Sequence, residues 1–439
     1  MNVFLRRLSI AILLFAFGEV QSQELVRISA DEAVRIGLEK NKNILINESK
    51  IRAADSKIEE SKAQLLPSLK LGASYTRLSD VEPFKIPGMN ISIFPTILNM
   101  YNTKLTVAQP VFTGFRLNSA VSMNEALANA TKYDLETTKI GLISDIKTMY
   151  WTYFKLQKTK QSLQDNIKQL DAHIKDIENM IAAGLTIEND LLKVKVQKSN
   201  LELSIVEIEN NIDMAGITLA TLMGIDANTK FEITDNPENI NSELMELQLS
   251  RDTAISKRPE LKAIEERINA SKYGIDMVKS GYYPQVFLSA NYNYSNPNQR
   301  YMPQKEEFRG TWDISLGLSM NLWDWNTTSL QAQQAQEQLL QAELSKSMIV
   351  DGLTQEVSQA VMTYNRSFDK MNATKVLLQQ AKENLRVTQE KYKAGAAISS
   401  ELLDAETSLL MAEINMITSQ TDYQMSLIKY IKATGFKNY

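Results

Sequence analysis

The segment IAAGLTIENDLL (residues 181–192) recurs as YKAGAAISSELL (residues 392–403), and this pair of segments decides the fold. An Ala-Gly pair, an isoleucine and a Leu-Leu pair occupy the same positions in both copies. The match extends outward without a gap, so that Leu105–Ile225 aligns with Leu316–Phe436 at a constant offset of 211 positions (316 − 105). Matching residues rarely keep one constant offset over such a long segment by chance. The chain is therefore a tandem duplication of one large unit.

Both copies contain a very long segment that can be helical. Proline, which breaks helices, is absent from residues 111–236 and from residue 304 to the C-terminus. Apolar residues of the first segment follow 4-3 spacing from Leu142 to Ile181, which predicts a heptad seam along one helix face. A helix over residues 120–183 would be about 96 Å long at ~1.5 Å per residue, which is several times the diameter of a small domain.

Glycine marks the turn in each copy. Gly184 is predicted to end the first long helix, because glycine readily takes the left-handed conformation that often follows a helix. A return helix is predicted after it, with 4-3 spacing from Leu191 to Leu222. The second copy repeats the pattern around Gly395. The sequence therefore predicts two antiparallel helical hairpins.

A shorter helix and a pair of strands are predicted before each hairpin. Ser29 and Glu32 form a capping box, and helical spacing then runs to Leu66. After Pro67 the apolar period changes from 3.6 to 2, and the same change follows Pro284 in the second copy. The predicted strands cover residues 67–79, 101–113, 284–295 and 311–323, each to within a few residues. Their length of about ten residues is that of a transmembrane β-strand.

Aromatic residues gather at the ends of the predicted strands, in the manner of the interfacial girdles of membrane barrels. They are Tyr75, Tyr101, Phe112, Tyr282, Tyr283, Tyr301, Trp312, Trp323 and Trp325. Two loops rich in proline, glycine and polar residues, Asp80–Asn99 and Ser295–Gly310, would lie on the outer side. The alternative is a pair of β-hairpins packed on a soluble core, because alternation alone is compatible with both arrangements.

The N-terminus has the pattern of a secretory signal peptide, predicted to cover residues 1–22. Arg6 and Arg7 precede an apolar run that is too short to span a bilayer, and small side chains surround a cleavage point before Gln23. The chain contains no cysteine, which excludes disulfides, thiolate metal sites and a lipid-modified N-terminal cysteine. The formal net charge of −4 argues against nucleic acid as a partner.

The four predicted strands of one chain are too few to close a membrane β-barrel. After the signal peptide we expect a first structural repeat at residues 23–225, a linker at 226–255 and a second repeat at 256–439. An open sheet edge cannot face lipid, because each unpaired amide would cost several kcal/mol. Two chains would give eight strands and a plugged interior, whereas three would give twelve strands and a lumen that could carry solute.

In these features the chain resembles the TolC-like outer-membrane efflux channels, over essentially all of the mature sequence. The resemblance rests on the duplicated frame and on the residues that flank the strands and form the turns: Leu65-Leu66-Pro67, Tyr282-Tyr283-Pro284, Gln109-Pro110-Val111-Phe112, Gly184 and Gly395. It implies a mainly α protein with membrane β-strands, a homotrimer whose 12-stranded outer-membrane barrel continues into a periplasmic α-helical barrel. The implied partners are outer-membrane lipid, a periplasmic adaptor (membrane fusion) protein and an inner-membrane pump of the RND, ABC or MFS type.

In that family, acidic side chains a few residues after the second turn glycine help to gate the periplasmic aperture. Glu401 and Asp404 stand at the matching positions and share one helical face. Three chains would form rings of carboxylates, which would favour cations. The alternative is that these acids only complement the helix dipole. The first copy has Asp190 and Lys193 at the equivalent positions, so only one hairpin is expected to supply the ring.

The turn residues Ala183, Gly184, Ala394, Gly395 and Ala396 are small enough for the helical tips of an adaptor to approach closely, and the resemblance implies docking there. The predicted function is the exit duct of a tripartite efflux pump for small molecules, such as drugs, toxic compounds or metal ions. One alternative is the outer-membrane channel of a type I protein secretion system. Another, from a different class, is a secreted coiled-coil scaffold without a pore.

Catalysis finds little support in the sequence. It contains no phosphate loop, nucleophile elbow or histidine-based metal cluster, and no cofactor is predicted. His173, the only histidine, lies in the middle of a predicted long helix and is expected at the surface. The sequence therefore predicts a protein that is not an enzyme.

Overall fold

The computed structural model describes residues 25–81, 97–236 and 251–435 together with Gly88, with only the backbone described at 251–253. The predicted signal peptide and most of the loop predicted at Asp80–Asn99 lie outside these residues. The described chain divides into two compact units. One comprises Met1–Ile46, Glu136–Arg258 and Gly352–Tyr439, and the other comprises Asn47–Leu135 and Pro259–Asp351. Each unit therefore takes segments from both sequence repeats.

Helices dominate the chain, so the mainly α prediction is confirmed. In chain order the elements are β1 (Leu25–Ile28), α1 (Ala30–Lys40), α2 (Lys42–Ala63), β2 (Ser68–Arg77), β3 (Asn99–Phe112), α3 (Arg116–Ala182), α4 (Glu188–Met223), β4 (Lys230–Ile233), α5 (Arg251–Ser256), α6 (Pro259–Lys279), a 3-10 turn (Ser280–Tyr282), β5 (Gln285–Asn296), β6 (Arg309–Ser319), α7 (Thr327–Lys393) and α8 (Ser399–Thr434).

The duplication seen in the sequence reappears in the helix lengths. The two long helices α3 and α7 each have 67 residues, and the two return helices α4 and α8 each have 36. Each helix of the second pair begins 211 positions after its counterpart (327 − 116 and 399 − 188). No helix among the described residues is both long and apolar enough to cross a membrane.

In the first unit, the seam of the first hairpin forms a continuous core. Leu163, Leu170 and Ile177 of α3 pack with Val194 and Leu201 of α4, and Leu410 of α8 joins the same cluster. These residues recur every seven positions within α3 and within α4, as heptad packing requires. The core therefore contains residues from both hairpins.

A two-stranded parallel sheet, absent from the sequence prediction, lies in the same unit. β1 pairs with β4, with Leu25 opposite Lys230 and Ile28 opposite Ile233. The buried Tyr150 of α3 ties this sheet to the hairpin, because its hydroxyl lies 3.1 Å from the Ile28 carbonyl and 2.9 Å from Asp235 Oδ2. Burial is the main cause of the raised pKa of the Tyr150 hydroxyl.

The continuous helix predicted from Ser29 to Leu66 is wrong, because the chain breaks at Asn41. Ser29 does cap α1, since its side chain accepts a hydrogen bond from the Glu32 N–H. Asn41 leaves helical geometry (ψ 128°), and its side-chain amide donates to the Leu222 carbonyl at 2.8 Å while its oxygen accepts from the Asn43 N–H at 2.8 Å. The local bond from Asn43 favours the break. The bond to Leu222 comes from a distant helix, so local spacing does not reveal it.

In the second unit, four antiparallel strands form one sheet in the order β2-β3-β5-β6. The two hairpins meet through β3 and β5, where Thr106 faces Asn291 and Leu105 faces Tyr292. The break predicted near Pro110 is an irregularity inside β3, where the register shifts between Pro110 and Phe112. β2 and β6 each have one neighbouring strand within the described chain.

The register divides the sheet into an apolar and a polar face, because successive side chains of a strand point to opposite sides. The residues on the apolar face include Leu69, Leu71, Leu105, Val107, Ala290, Tyr292, Trp312, Ile314, Leu316 and Leu318. The residues on the polar face include Lys70, Ser74, Asn102, Lys104, Thr106, Ser289, Asn291, Asn293, Thr311, Asp313 and Ser315. The apolar face is exposed in the single chain, and Leu71 retains 73% of its accessible surface.

Candidate functional site: the hairpin turns and the sheet

The two hairpin turns have the same backbone geometry. Gly184 and Gly395 have φ angles of 71° and 70°, in the left-handed region that favours glycine. Beyond each glycine, an N–H reaches back five residues, from Leu185 to the Met180 carbonyl at 2.9 Å and from Ala396 to the Lys391 carbonyl at 2.8 Å. This pattern is the Schellman motif, which satisfies the last carbonyls of a helix.

Both turns are open on their outer side. Ala183, Ala394 and Ala396 are exposed, and a Cβ atom added at Gly184 or Gly395 would meet no other atom within 4 Å. All five residues predicted to contact an adaptor therefore lie at accessible turn positions. Larger apolar side chains are exposed beside them: Leu185, Ile187 and Ile398.

At the first turn, Asp190 is held by its neighbours. Its carboxylate accepts a hydrogen bond from the Thr186 hydroxyl at 3.1 Å and lies 3.4 Å from Lys193 Nζ. The Lys193 ammonium compensates the negative charge, and Asp190 is only half-exposed. Asp190 therefore presents little free charge at this turn.

At the second turn, Glu401 and Asp404 are both exposed. Within the described part of the chain, neither carboxylate has a hydrogen bond or an ion pair. Ala397 stands where the first turn has Thr186, and Asp404 stands where it has Lys193, so the groups that hold Asp190 have no counterpart here. The second turn thus presents two free carboxylates on one face of α8.

The prediction that His173 lies at the surface is wrong. His173 is 3% exposed, with Nδ1 3.2 Å from Glu406 Oε2 and Nε2 3.1 Å from Ser399 Oγ. The ring of Tyr392 contacts the imidazole edge to face, at 5.6 Å between centroids. The reason is that α3 has two buried faces, a seam facing α4 and a second face, carrying His173, that packs against the second hairpin.

Sequence reasoning also missed the partners of His173. Ser399 and Glu406 are seven residues apart and alternate with Leu402 and Leu409 at 3-4 spacing, so polar residues occupy the seam of α8. Polar residues at seam positions were the signal that could have found this cluster. Glu406 is 4% exposed, and a buried carboxylate requires a partner.

Several carboxylates lie near this cluster. Burial raises the pKa of the Tyr392 hydroxyl, and the nearby carboxylates of Asp176, Asp190 and Glu406 raise it further. Among the described residues, no group of three or more histidine, cysteine or acidic side chains is arranged to hold a metal ion. His173 joins α3 to α8 through its hydrogen bonds to Glu406 and Ser399.

The buried cluster and the free acids lie on opposite faces of α8. With 3.6 residues per turn, Ser399 and Glu406 share one face, whereas Glu401 and Asp404 lie roughly 140–200° around the helix from Ser399. The bonds from His173 thus hold α8 by one face, which leaves the two acids on the other.

The aromatic residues of the sheet lie towards both ends of the strands. Tyr75 faces Tyr101 at one end, with ring centroids 5.0 Å apart. Trp312 lies opposite Tyr292, four residue pairs further along the sheet. The other aromatic residues predicted at the membrane interface lie where the strands join the helices: Phe112, Tyr282, Tyr283, Trp323 and Trp325. Aliphatic residues of the apolar face lie between these two groups.

Comparison with known proteins places the chain in a family. The sequence profile of the outer membrane efflux proteins matches residues 34–225 and 251–435. TolC of Escherichia coli (strain K12) is 22% identical over 400 residues, which cover 88% of this chain and 78% of TolC. Toxin and drug export protein A of Aggregatibacter actinomycetemcomitans is 21% identical over 342 residues, which cover 74% of this chain and 72% of that protein.

The fold agrees with this result. A crystal structure of CusC matches 92% of this chain and 92% of its own with a TM-score of 0.81, at 16% sequence identity. At this identity the likeness concerns the fold alone, while the sequence profile covers both repeats. The chain therefore belongs to the outer membrane efflux protein family of TolC-like proteins, which are transport ducts and not enzymes.

Proposed function

We propose that this chain forms the outer-membrane exit duct of a tripartite efflux pump, which passes small molecules from an inner-membrane pump and a periplasmic adaptor to the outside. The two-faced sheet carries this proposal. Its apolar face is exposed and has no charged residue between Leu69 and Tyr75 or between Ile314 and Leu318, whereas its other face is polar. This division suits lipid on one side and water on the other.

The open edges of the sheet support a homotrimer. β2 and β6 each have an unpaired side within the described chain, and an unpaired edge in lipid would cost several kcal/mol for each amide. Three chains would pair β6 of one with β2 of the next and close a barrel of twelve strands. Barrels of this size leave a lumen for solute, whereas eight-stranded barrels are filled by side chains.

We assign the periplasmic gate to the second hairpin turn. Glu401 and Asp404 are exposed and unpaired among the described residues, whereas Asp190 is compensated by Lys193. In a trimer, the acids of the second turn would form rings that attract cations. Asp190 belongs to the same aperture only as a neutralised neighbour.

The exposed small residues of both turns are the proposed adaptor-docking surface. Leu185, Ile187 and Ile398 add apolar area around them. In this scheme the docking turns do not choose between drugs and proteins as cargo, because the inner-membrane pump does. Protein export by a type I system therefore stays an alternative, and the name of the relative Toxin and drug export protein A includes toxin as well as drug export.

The experiment is to purify the protein from membranes, measure its mass by native mass spectrometry in detergent, and record its conductance in a planar bilayer. A detergent-dependent trimer with a defined single-channel conductance is expected. A monomer that is soluble without detergent and conducts no current would contradict the proposal and favour a secreted coiled-coil scaffold.

A further inference from the structure

The polar face of the sheet carries an uneven set of charges. Within the described strands, the row Lys70, Thr106, Asn291 and Asp313 runs across all four strands from edge to edge. Lys104 lies in the adjacent row, opposite Gly72 on one side and Asn293 on the other. Lys70 and Lys104 are therefore diagonal neighbours, with Cα atoms roughly 7–8 Å apart.

The acidic residue of this face is already satisfied. Asp313 accepts hydrogen bonds from the side-chain amides of Asn291 at 2.8 Å and Asn293 at 3.3 Å, and Arg300 lies 3.4 Å from the same carboxylate. The Thr106 hydroxyl donates to Asn291 at 2.9 Å and extends the network to β3. The charge of Asp313 is thus compensated by Arg300 and is not available to the two lysines.

The arginine of this face is also paired. Arg309 Nε donates to Glu307 at 2.7 Å, and its guanidinium lies 4.5 Å from the centroid of the Tyr301 ring. Lys70 and Lys104 are exposed, and neither ammonium has an ion-pair partner among the residues that the structure describes. The net free charge of the described polar face is therefore positive.

We propose that Lys70 and Lys104 make the outer-membrane section of the duct attract anions, so that solutes with an anionic group are retained and passed there. This inference rests on the proposed function, because it takes the polar face as the lining of a pore. Three chains would supply six ammonium groups at neighbouring levels of one lumen. Charges on the wall of a water-filled pore select for ions of the opposite sign, and low-dielectric walls focus their field.

The proposal gives the duct two sections of opposite charge. The exposed acids of the second turn, Glu401 and Asp404, favour cations, and the sheet favours anions. The simpler view of the lysines is that they only keep the lumen wet, as serine and asparagine do on the same face. The two views differ in what happens when the charge is removed while the polarity is kept.

The experiment compares wild type with Lys70→Gln/Lys104→Gln in planar bilayers, using tripolyphosphate as a multivalent anionic blocker added at the end of the pore formed by the sheet, away from the acids of the second turn. Wild type should be blocked at low ionic strength, and the double variant should need roughly tenfold more blocker, because the wall charge no longer concentrates the anion. The reversal potential in a KCl gradient should shift towards cation selectivity. Lys70→Arg/Lys104→Arg should retain the block.

A matched control removes two lysines away from the sheet. Lys57→Gln/Lys62→Gln in α2 changes the charge equally and breaks only two surface ion pairs, so block and selectivity should stay as in wild type. Equal block of wild type and the Lys70/Lys104 variant would overturn the inference and leave the duct intact. Absence of any conductance in wild type would overturn the duct and the inference together.

Discussion

The turns of the two helical hairpins share a backbone geometry but differ in how their acidic side chains are compensated. Equivalent positions are 211 residues apart, so Asp190 corresponds to Glu401 and Lys193 to Asp404. The first turn neutralises its acid within a local network. In the second, the carboxylates of Glu401 and Asp404 have no partner among the residues that the structure describes. The two copies thus share the geometry of the turn, but the uncompensated negative charge lies on the second hairpin.

The same contrast holds in the interior. His173 is buried, whereas its counterpart Asn384 is exposed. The residues that correspond to Ser399 and Glu406 are Glu188 and Lys195, and both are exposed. The return helix α8 is therefore held by a buried polar cluster that α4 lacks, and the free acids of the second turn lie on the face of α8 away from that cluster.

The largest effect is expected when His173 is removed. His173→Leu leaves the buried Glu406 without its partner, and breaking one side of a buried pair costs about 3–5 kcal/mol. The free energy of unfolding, measured by guanidinium titration of the detergent-purified protein, should fall by that amount. Asn384→Leu, at the equivalent exposed position, should change it by less than about 0.5 kcal/mol.

Replacing both His173 and Glu406 distinguishes the cost of an unpaired buried group from the cost of altered packing. His173→Leu/Glu406→Leu should recover most of the loss, because replacing both partners of a buried polar pair by apolar groups is often nearly neutral. Equal destabilisation by His173→Leu and Asn384→Leu would remove the distinction between the two hairpins.

The glycines that end the return helices should differ next. Gly224 and Gly435 both have φ near 70°, so alanine at either should cost about 1–2 kcal/mol from the left-handed backbone alone. At Gly224 the new Cβ would also overlap the carbonyl group of Lys40, which adds roughly 1–3 kcal/mol. At Gly435 the nearest atom to the new Cβ is Lys257 Cβ at 3.4 Å, so the extra cost of steric overlap is absent there. The midpoint temperature of thermal unfolding should therefore be clearly lower for Gly224→Ala than for Gly435→Ala.

A smaller effect of opposite sign is expected at Glu413, which corresponds to Glu202 of the first hairpin. Burial raises the pKa of Glu413 in the folded protein. A carboxyl group with a raised folded pKa destabilises the protein when ionised, so this cost is present at neutral pH and disappears as pH falls below the unfolded value of about 4.3. Glu413→Gln should therefore stabilise the protein slightly at pH 7 and lose this gain in acid.

The control for that change is Glu202→Gln. Glu202 is exposed and lies 3.7 Å from Lys198, so its replacement removes a surface ion pair worth about 0–1 kcal/mol. Unfolding curves recorded between pH 4 and pH 7 should show a gain in the free energy of unfolding for Glu413→Gln that disappears towards pH 4. Glu202→Gln should show a small loss or no change. A gain at Glu202 of the same size would show that burial of Glu413 is not the cause.

The smallest effect on stability is expected at the turns themselves. Ala183→Trp and Ala394→Trp place a large side chain at exposed positions, so unfolding should change by less than about 0.5 kcal/mol. Site-specific crosslinking to the periplasmic adaptor should nevertheless be lost, whereas Ala63→Trp at the end of α2 should leave it intact. Normal crosslinking and transport in both turn variants would remove the docking assignment.

What the sequence predicts well here is local. The turns at Gly184 and Gly395 and the two periods of apolar spacing depend on residues close in the chain, and the strands lie within a few residues of their expected positions. The pairing of β1 with β4 joins residues about 200 positions apart through strands of four residues, and no period can be recognised over so short a length.

The errors have the same physical origin. The break at Asn41 depends on a hydrogen bond to Leu222, and the burial of His173 depends on a second helix that packs outside the heptad seam. Both arise from contacts between distant segments. The acids Glu401 and Asp404 could be named from the turn pattern. That they have no partner within the described ranges depends on the positions of side chains from other helices, which the sequence does not give.

Single-channel conductance in a planar bilayer can show which hairpin forms the gate, by comparing Glu401→Ala/Asp404→Ala with Asp190→Ala/Lys193→Ala at the equivalent positions. We expect a small, cation-selective conductance for wild type, which rises and loses selectivity in the first variant because the ring of carboxylates is gone. The second variant should behave as wild type. Equal conductance and selectivity in all three proteins would contradict a gate formed by the second hairpin.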